Sequence, residues 1–210
     1  YHLRNQAVLT MATINVTMEE ASRFGIVGFD HENRVTSFVE KPAQPPSTQA
    51  NMGVYLFNTE VLSAALLEDH GKENSSHDFG KDIIPRMLQS GMRIFTYPFT
   101  GYWVDVGTIE SYWQAHMDLL QEKPSIDLND RSWIIHTRTE ERPPVRISRD
   151  AVVVDSMISD GCVVARGARI ERSVLSPGVV VRPGAIVRES ILLTDTIVES
   201  GAVLERSIVD

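Results

Sequence analysis

The hydrophobic positions of the chain follow two different patterns, and the change falls near residue 150. Before it, short strand-like runs alternate with segments in which apolar residues recur every three or four positions. These patterns predict the strands Arg23–Phe29, Val35–Val39, Gly53–Phe57 and Ile94–Phe99, and the helices Thr59–Asp69, Phe79–Gln89 and Thr108–Gln121. The expected helix ends carry N-cap residues and a terminal glycine: Thr59, Asp78, Thr108 and Gly91. Alternating strands and helices are typical of an α/β domain with a mixed sheet.

The rest of the chain carries a six-residue repeat of apolar side chains. From Cys162 to Leu204, every sixth residue is apolar or small, and turn-forming residues lie between them. This period indicates a β-solenoid whose short strands stack coil upon coil. At about 18 residues per coil, Ala151–Asp210 predicts roughly three coils. A second apolar column ends at Ser176, which predicts that the inward face shifts there; its members are Ile158, Val164 and Ile170.

The two patterns divide the chain into three regions. Residues 1–137 are expected to form part of an α/β domain, residues 138–150 a polar linker with Pro143 and Pro144, and residues 151–210 an incomplete solenoid. Because the chain starts at Tyr1 rather than at methionine and stops inside the repeat, we expect it to be a fragment.

Composition narrows the functional classes. The chain is 42% hydrophobic and 23% charged, which is typical of a soluble globular protein rather than of a disordered one. The presence of one cysteine favours a reduced, cytoplasmic compartment. No apolar run approaches the ~18 residues of a membrane span, so a membrane is not an expected partner. The single cysteine, Cys162, excludes an internal disulfide and a thiolate metal cluster. The net charge of −8 disfavours nucleic acid as a partner, because phosphate backbones are bound by basic surfaces.

Four polar clusters fall at predicted strand or helix ends, and the first is Phe38–Pro42 (FVEKP). Lys41 is a point charge suited to a phosphate, and Glu40 can accept hydrogen bonds from sugar hydroxyls. Adjacent residues of a strand point to opposite faces, so a bend would be needed to aim both at one ligand. A solvated ion pair at a strand end is the alternative, and on these two residues alone it is the commoner case.

The second cluster is Asn51–Tyr55 and the third is Glu73–Asp82. In the second, Gly53 would allow a ligand to approach closely and Tyr55 offers a hydroxyl, although an ordinary strand with a buried tyrosine is equally consistent. The third is a polar loop that enters a helix, where free N–H groups and the helix dipole favour anions. Capping by Asp78 alone also explains that segment.

The fourth cluster, Gly101–Thr108, predicts a short strand that ends at Asp105 before a turn into a helix. A carboxylate at a strand end is a good Mg²⁺ ligand for phosphate chemistry, and Trp103 could form an apolar wall for a sugar ring. A buried aspartate bonded to the helix N-terminus is the structural alternative.

Together, the segments FVEKP, NMGVY, SSHDFGKDIIP and YWVDVGTIESYW, followed by hexapeptide repeats, resemble the glucose-1-phosphate adenylyltransferases (ADP-glucose pyrophosphorylases). The resemblance covers the chain from Phe24 onward. FVEKP and the DVGT segment are shared by sugar nucleotidyltransferases generally, whereas SSHDFGKDIIP and WVDVGTIESYW are more specific to the adenylyltransferases.

The resemblance implies a partial Rossmann-like nucleotidyltransferase domain followed by a left-handed parallel β-helix. It implies that ATP and glucose 1-phosphate are converted to ADP-glucose and pyrophosphate with Mg²⁺, in glycogen or starch biosynthesis. It also implies a homotetramer under allosteric control, assembled through the β-helix and the catalytic domain.

The same resemblance assigns roles to individual residues. Lys41 would hold the sugar phosphate and Asp105 would hold the catalytic Mg²⁺, so both are expected to be catalytic. Asn51 replaces a serine of the family pattern, which leaves its own role in doubt. The expected substrate-binding residues, besides Lys41, are Gly25, Glu40, Asn51, Tyr55, Asp78, Phe79 and Trp103.

Three alternatives remain at this stage. The chain could belong to a nucleotidyltransferase that uses another base, or to a non-catalytic regulatory or scaffold subunit, although the presence of Lys41 and Asp105 argues against loss of catalysis. A hexapeptide acyltransferase is disfavoured, because no histidine follows His136. The glycine-rich G-G-x-G-x-R-L loop and a second metal aspartate are absent from these 210 residues, so we expect the chain to be inactive alone.

Overall fold

The computed structural model describes residues 1–137 and 140–210. Arg138 and Thr139, with which the predicted linker begins, lie outside the described residues. The chain folds as two compact units, Tyr1–Gly101 and Tyr102–Asp210. The second unit therefore includes the last part of the predicted α/β region together with the solenoid.

The first unit is built on a five-stranded mixed sheet, as the alternating pattern predicts. The strands are β1 (Leu9–Asn15), β2 (Gly25–Phe29), β3 (Val35–Glu40), β4 (Gln49–Phe57) and β5 (Ile94–Pro98). They lie in the order β3-β2-β4-β1-β5; β1 and β5 are parallel and the other pairs are antiparallel. The first strand and the short helix that follows it, α1 (Met18–Ala21), were not predicted.

Two further helical segments of the first unit lie where the sequence pattern places them. Helix α2 spans Thr59–His70, and a π-helical turn at Phe79–Ile83 continues into α3 (Ile84–Gln89). The predicted N-cap at Thr59 is wrong: Asn58 is the cap residue, but it makes no side-chain capping bond. Its Oδ1 atom lies 3.1 Å from the Nε2 atom of His2 instead. The predicted cap Asp78 is confirmed.

The core of the first unit is formed by apolar side chains of the sheet together with those of the 79–89 helical segment. Its buried members are Leu9, Met11, Val27, Val35, Ile83, Ile84, Met87 and Ile94. Partly buried aromatic side chains pack against this core, among them Tyr55, Phe57 and Phe79. The core therefore supports the residues of the second and third polar clusters.

The second unit begins with an irregular segment and a helix. The predicted strand that ends at Asp105 is wrong, because residues 102–107 pair with no strand in the described parts of the chain. Helix α4 follows at Ile109–Leu119. Thr108 caps it as predicted, since its Oγ1 accepts a hydrogen bond from the N–H of Ser111 at 3.1 Å.

In the described part of the second unit, twelve short strands form the parallel β-solenoid, in three sheets of four. The first sheet contains β6 (Arg146–Ile147), β9 (Val163–Val164), β12 (Val180–Val181) and β15 (Ile197–Val198). The second contains β7 (Val152–Val154), β10 (Arg169–Glu171), β13 (Ile186–Arg188) and β16 (Val203–Glu205). The third contains β8 (Met157–Ile158), β11 (Val174–Leu175), β14 (Ile191–Leu192) and β17 (Ile208–Val209). The solenoid therefore has about four coils rather than three.

Each coil contains 17 residues rather than 18. The strand register pairs Arg169 with Ile186 and Val174 with Ile191 on adjacent coils. One side of the coil is a residue shorter than the other two, so Leu175 is buried in the interior where a strict six-residue period would place Ser176. The predicted shift of the inward face is confirmed. The prediction of an unbroken six-residue inward column from Cys162 is wrong for the same reason. Three of its members, Val174, Val180 and Ile186, are not among the buried core residues.

A ladder of serines stabilises the short side of the coil. Ser156, Ser173, Ser190 and Ser207 occupy equivalent positions on successive coils. Each Oγ atom of the first three accepts a hydrogen bond from the backbone N–H of the next serine at 3.1 Å. Each hydroxyl of the ladder also donates to the carbonyl two residues before it. This ladder satisfies polar backbone groups at the corner where the coil is shortened.

None of the helices in the described parts of the chain has the length and apolar character that a bilayer-spanning helix needs.

Candidate functional site

The end of strand β3 places an acid and a base next to each other. Glu40 is the last residue of the strand, and Lys41 follows in a left-handed conformation with φ of 45°. The Lys41 Nζ atom lies 4.0 Å from Glu40 Oε1. This is the bend that the sequence interpretation required, because an extended strand would direct the two side chains apart. The Lys41 side chain is 65% exposed and the Glu40 side chain 20%, so the ammonium is accessible and the carboxylate is largely enclosed.

Two glycines enclose the Glu40 carboxylate. Gly25 lies opposite Glu40 in the β2–β3 pair, and a Cβ atom at Gly25 would lie 2.7 Å from Glu40 Oε2 and 2.5 Å from Phe38 Cζ. A Cβ atom at Gly80 would overlap the same Oε2 atom and lie 2.9 Å from Glu40 Cδ. The carboxylate therefore occupies a slot that any larger side chain at either position would close.

Gly80 is a site residue that sequence reasoning missed. It is buried in the first turn of the π-helical segment, where glycine is otherwise a poor helix former. That unfavourable placement was the available sequence signal. Nothing in the sequence alone showed which side chain approaches it.

Asn51 and Tyr55 lie on strand β4 and form a direct hydrogen bond. Asn51 Nδ2 donates to the Tyr55 hydroxyl oxygen at 2.7 Å, and the Gly53 N–H donates to Asn51 Oδ1 at 3.2 Å. Burial raises the pKa of Tyr55; the Asn51 bond opposes this, and the charges of Glu40 and Asp78 add to it. The tyrosine is therefore neutral at physiological pH, and its O–H proton is available to a ligand.

Asp78 and Phe79 form the other edge of the same cluster. Asp78 Oδ1 accepts hydrogen bonds from the N–H groups of Gly80 and Lys81, both at 2.8 Å. These helix N–H groups are thus occupied, which removes them as the anion site considered from the sequence. The Phe79 ring stacks on the Tyr55 ring, with centroids 5.7 Å apart and an interplanar angle of 28°.

The loop before Asp78 is held by two further acids. Ser76 Oγ donates to Asp82 Oδ2 at 2.5 Å, and the Asp78 N–H donates to the same oxygen at 3.2 Å. His77 Nδ1 lies 2.8 Å from Asp69 Oδ2. Sequence reasoning missed Asp69, because it lies inside a helical pattern and its partners are distant in sequence.

Trp103 and Asp105 belong to the second unit. Both are half-buried in the irregular segment that precedes α4. A Cβ atom at Gly107 would lie 3.0 Å from Asp105 Oδ2, so this glycine gives the carboxylate its space. Sequence reasoning treated Gly107 only as a turn.

Helix α4 connects this segment to the solenoid. The Trp113 indole Nε1–H donates to the Glu189 carbonyl at 2.7 Å, and the Arg206 guanidinium carbon lies 5.0 Å from the Trp113 ring centroid. Trp113 thus anchors helix α4 on the solenoid. This helix begins four residues after Asp105.

The described residues suit a metal ion that is held partly by substrate, and they do not suit an ion enclosed by protein ligands alone. Among the described residues, no group of three or more His, Cys, Asp or Glu could hold a metal ion. A resident ion enclosed by protein ligands is therefore not supported. Mg²⁺ in phosphate chemistry is commonly held by only one or two carboxylates, with substrate phosphates and water completing the shell. Asp105 fits that arrangement as a single carboxylate ligand.

Comparison with known proteins gives two family matches. Residues 1–122 match the model of the nucleotidyl transferase family, and residues 144–210 match that of the GlmU-like C-terminal hexapeptide family.

Several similar curated proteins are named glucose-1-phosphate adenylyltransferase. The protein from Geobacillus stearothermophilus is 50% identical over 164 residues, which cover 78% of this chain and 42% of that protein. Those from Desulforamulus reducens and Halalkalibacterium halodurans are 52% and 51% identical over the same length, covering 41% and 43% of each. The chain thus spans less than half the length of the curated relatives it matches.

Proposed function

The chain belongs to the nucleotidyl transferase family, and we propose that the whole protein transfers the adenylyl group of ATP to glucose 1-phosphate, forming ADP-glucose and pyrophosphate. The relatives named above support this substrate pair. The observation that carries the proposal is the bend at the end of β3, which sets the Lys41 ammonium 4.0 Å from a Glu40 carboxylate enclosed by Gly25 and Gly80. Such a pair suits a hydroxylated phosphate ester, because the ammonium binds phosphate and the carboxylate accepts hydrogen bonds from hydroxyl groups.

In this proposal, the side chains of the first unit bind different parts of glucose 1-phosphate. Lys41, as an exposed point charge, binds the phosphate. Glu40 accepts hydrogen bonds from sugar hydroxyls, and neutral Tyr55 donates one. Asp78 is exposed at the edge of the same cluster and provides a second carboxylate for hydroxyl groups. For Trp103, which belongs to the second unit, an apolar surface for the sugar ring is proposed from the resemblance to the adenylyltransferases.

The proposed reaction is an in-line displacement at phosphorus. A phosphate oxygen of glucose 1-phosphate forms a bond to the α-phosphorus of ATP, and the bond from that phosphorus to the departing pyrophosphate oxygen breaks. Lys41 holds the attacking phosphate and reduces the repulsion between the two anionic substrates. Mg²⁺ bound at Asp105 would supply positive charge to the nucleotide phosphates. Catalysis then rests mainly on positioning and on neutralisation of charge.

The remaining parts of the proposal concern the protein as a whole. We propose that these 210 residues supply the sugar-phosphate half and do not catalyse the reaction alone, because they contain no G-G-x-G-x-R-L segment for the triphosphate. The whole protein would act in bacterial glycogen synthesis in the cytoplasm, as an allosterically controlled homotetramer assembled through both domains.

The test is an assay of pyrophosphate release by the full-length gene product and by the 210-residue chain. We expect turnover of the full-length product that requires both ATP and glucose 1-phosphate, and none from the chain alone. Lys41→Gln should reduce the turnover of the full-length product at least 100-fold, whereas Lys72→Gln should not change it. Lys72 is a suitable control because it is a partly exposed lysine that pairs with Glu68 on α2.

Other outcomes identify the alternatives. A preference for another nucleoside triphosphate would show a different base specificity. Binding of glucose 1-phosphate without turnover with any nucleotide would show a regulatory or scaffold subunit.

A further inference from the structure

Asp69 is a buried carboxylate to which the proposed reaction gives no role. Its side chain is 2% exposed, and it lies in the last turn of α2, where the helix dipole disfavours an acid. A buried charge is costly unless it is paired and hydrogen-bonded. Its position therefore requires partners that compensate both effects.

Three side chains satisfy the two oxygens of this carboxylate. Ser75 Oγ donates to Oδ1 at 2.8 Å and Arg86 Nη1 donates to Oδ1 at 2.9 Å, while His77 Nδ1 lies 2.8 Å from Oδ2. The His77 bond is the largest cause that lowers the pKa of Asp69 to about 2. Asp69 is therefore ionised throughout the neutral range.

These partners come from separate parts of the first unit. Arg86 is on α3, whereas Ser75 and His77 belong to the loop that joins α2 to the π-helical turn. A single carboxylate thus joins the end of α2, the start of α3 and the loop between them. The loop contributes two of the three bonds, so it is the element that depends most on Asp69.

The anchored loop adopts a conformation that needs support. His77 has φ of 58°, in the left-handed region that non-glycine residues seldom occupy, and its N–H donates to Ser75 Oγ at 3.1 Å. The next two residues, Asp78 and Phe79, form one edge of the cluster proposed to bind the sugar. This sugar cluster consists of Glu40, Tyr55, Asp78 and Phe79. A change in the backbone at His77 is transmitted directly to both of them.

We propose that Asp69 is a positioning residue for the sugar cluster, which fixes Asp78 and Phe79 through its bonds to Ser75 and His77. The inference rests on the proposed function, because it concerns the binding of glucose 1-phosphate. It assigns Asp69 to recognition of the sugar rather than of the phosphate. The loop leads into Phe79, whose ring stacks on Tyr55, whereas Lys41 follows strand β3.

The test compares two ligands on the 210-residue chain by NMR titration: glucose 1-phosphate and inorganic phosphate. In Asp69→Asn, we expect the Kd for glucose 1-phosphate to rise about tenfold, which corresponds to loss of one well-placed hydrogen bond. The Kd for inorganic phosphate should stay unchanged, since Lys41 binds it alone. Glu68→Gln is the matched control, because it neutralises the adjacent exposed acid of α2 and should change neither Kd.

A second variant keeps the test decisive if Asp69→Asn does not fold. His77→Ala removes a half-exposed donor and leaves the Ser75 and Arg86 bonds in place. It should weaken glucose 1-phosphate binding in the same direction. When both variants fold, their effects should be less than additive, since they interrupt the same connection.

The outcomes separate this inference from the proposed function. If the wild-type chain does not bind glucose 1-phosphate, the part of the proposed function that assigns the sugar-phosphate half to these 210 residues fails. If the wild type binds and both variants bind equally well, the positioning role is overturned. A parallel loss of affinity for both ligands would also overturn it, because that result indicates a general structural role.

Discussion

Gly80→Ala tests whether the Glu40 carboxylate, which lies between Gly25 and Gly80, binds the sugar. The new methyl group would overlap Glu40 Oε2 and lie 2.9 Å from Glu40 Cδ. These atoms are the end of a flexible side chain rather than backbone, so the carboxylate can move out of the slot. We therefore expect a loss of stability on the order of 1 kcal/mol, at the low end for overpacked sites.

The expected loss of binding is much larger than the loss of stability. A hydrogen bond from a hydroxyl to a carboxylate contributes about 1.5–3 kcal/mol, and about 1.4 kcal/mol is a tenfold change in Kd. Displacing Glu40 should therefore raise the Kd for glucose 1-phosphate roughly 10- to 150-fold. Isothermal titration calorimetry on the 210-residue chain measures this change directly.

Gly71→Ala is the matched control for this prediction. Gly71 has φ of −76°, and the nearest atom to a new methyl group would be the Glu68 carbonyl oxygen at 3.8 Å, an ordinary contact. We expect unchanged binding and stability. A folded Gly80→Ala variant that binds glucose 1-phosphate as tightly as the wild type would refute the assignment of Glu40 to the sugar.

Three further predictions concern stability. Ser190→Ala should lower the free energy of unfolding by about 1–3 kcal/mol in urea, because the Ser207 N–H loses its acceptor; an unchanged midpoint would contradict the ladder. Trp113→Phe should lower it by about 1 kcal/mol, since the bond to the Glu189 carbonyl is lost; equal urea midpoints would count against this anchor. Because the pKa of Asp69 is lowered from 3.8 to about 2, its stabilisation is complete above pH 4 and is lost as the pH falls towards 2. Circular dichroism during acid titration should show this loss of stability in the wild type and not in Asp69→Asn.

Local patterns predicted those features whose causes are local. Asp78 and Thr108 were identified as caps because a cap bonds to N–H groups two or three residues along the chain. The inward shift near Ser176 was visible because apolar residues change position there. The coil length of 17 residues was not obtained, since the serine ladder that accommodates the short side joins residues on different coils.

Other features depend on tertiary neighbours and could not be predicted. Asn58 replaced Thr59 as the cap, and its side chain bonds to a distant histidine near the start of the chain. The approach of Gly80 to Glu40 and the bonding of Asp69 to Arg86 likewise join separate elements. The spacing of residues in one sequence contains no record of such contacts.

The association of Asp105 with the solenoid unit bears on where the chain can be truncated. The sequence pattern placed this residue in the α/β region, but its segment folds with α4 and the coils in one compact unit. Trp113 provides the anchor between that helix and the solenoid. A truncation after residue 137 would therefore remove the surface on which α4 is packed, and the position of Asp105 would lose its support.

The most direct measurement is the binding of glucose 1-phosphate and inorganic phosphate to the wild-type chain, Glu40→Gln and Lys41→Gln, by NMR titration. The account predicts that Lys41→Gln weakens both ligands at least tenfold, because a charge-assisted bond to phosphate is lost. It predicts that Glu40→Gln weakens only glucose 1-phosphate. If the wild type binds neither ligand, or if both variants bind glucose 1-phosphate as the wild type does, these two residues do not form a sugar-phosphate site.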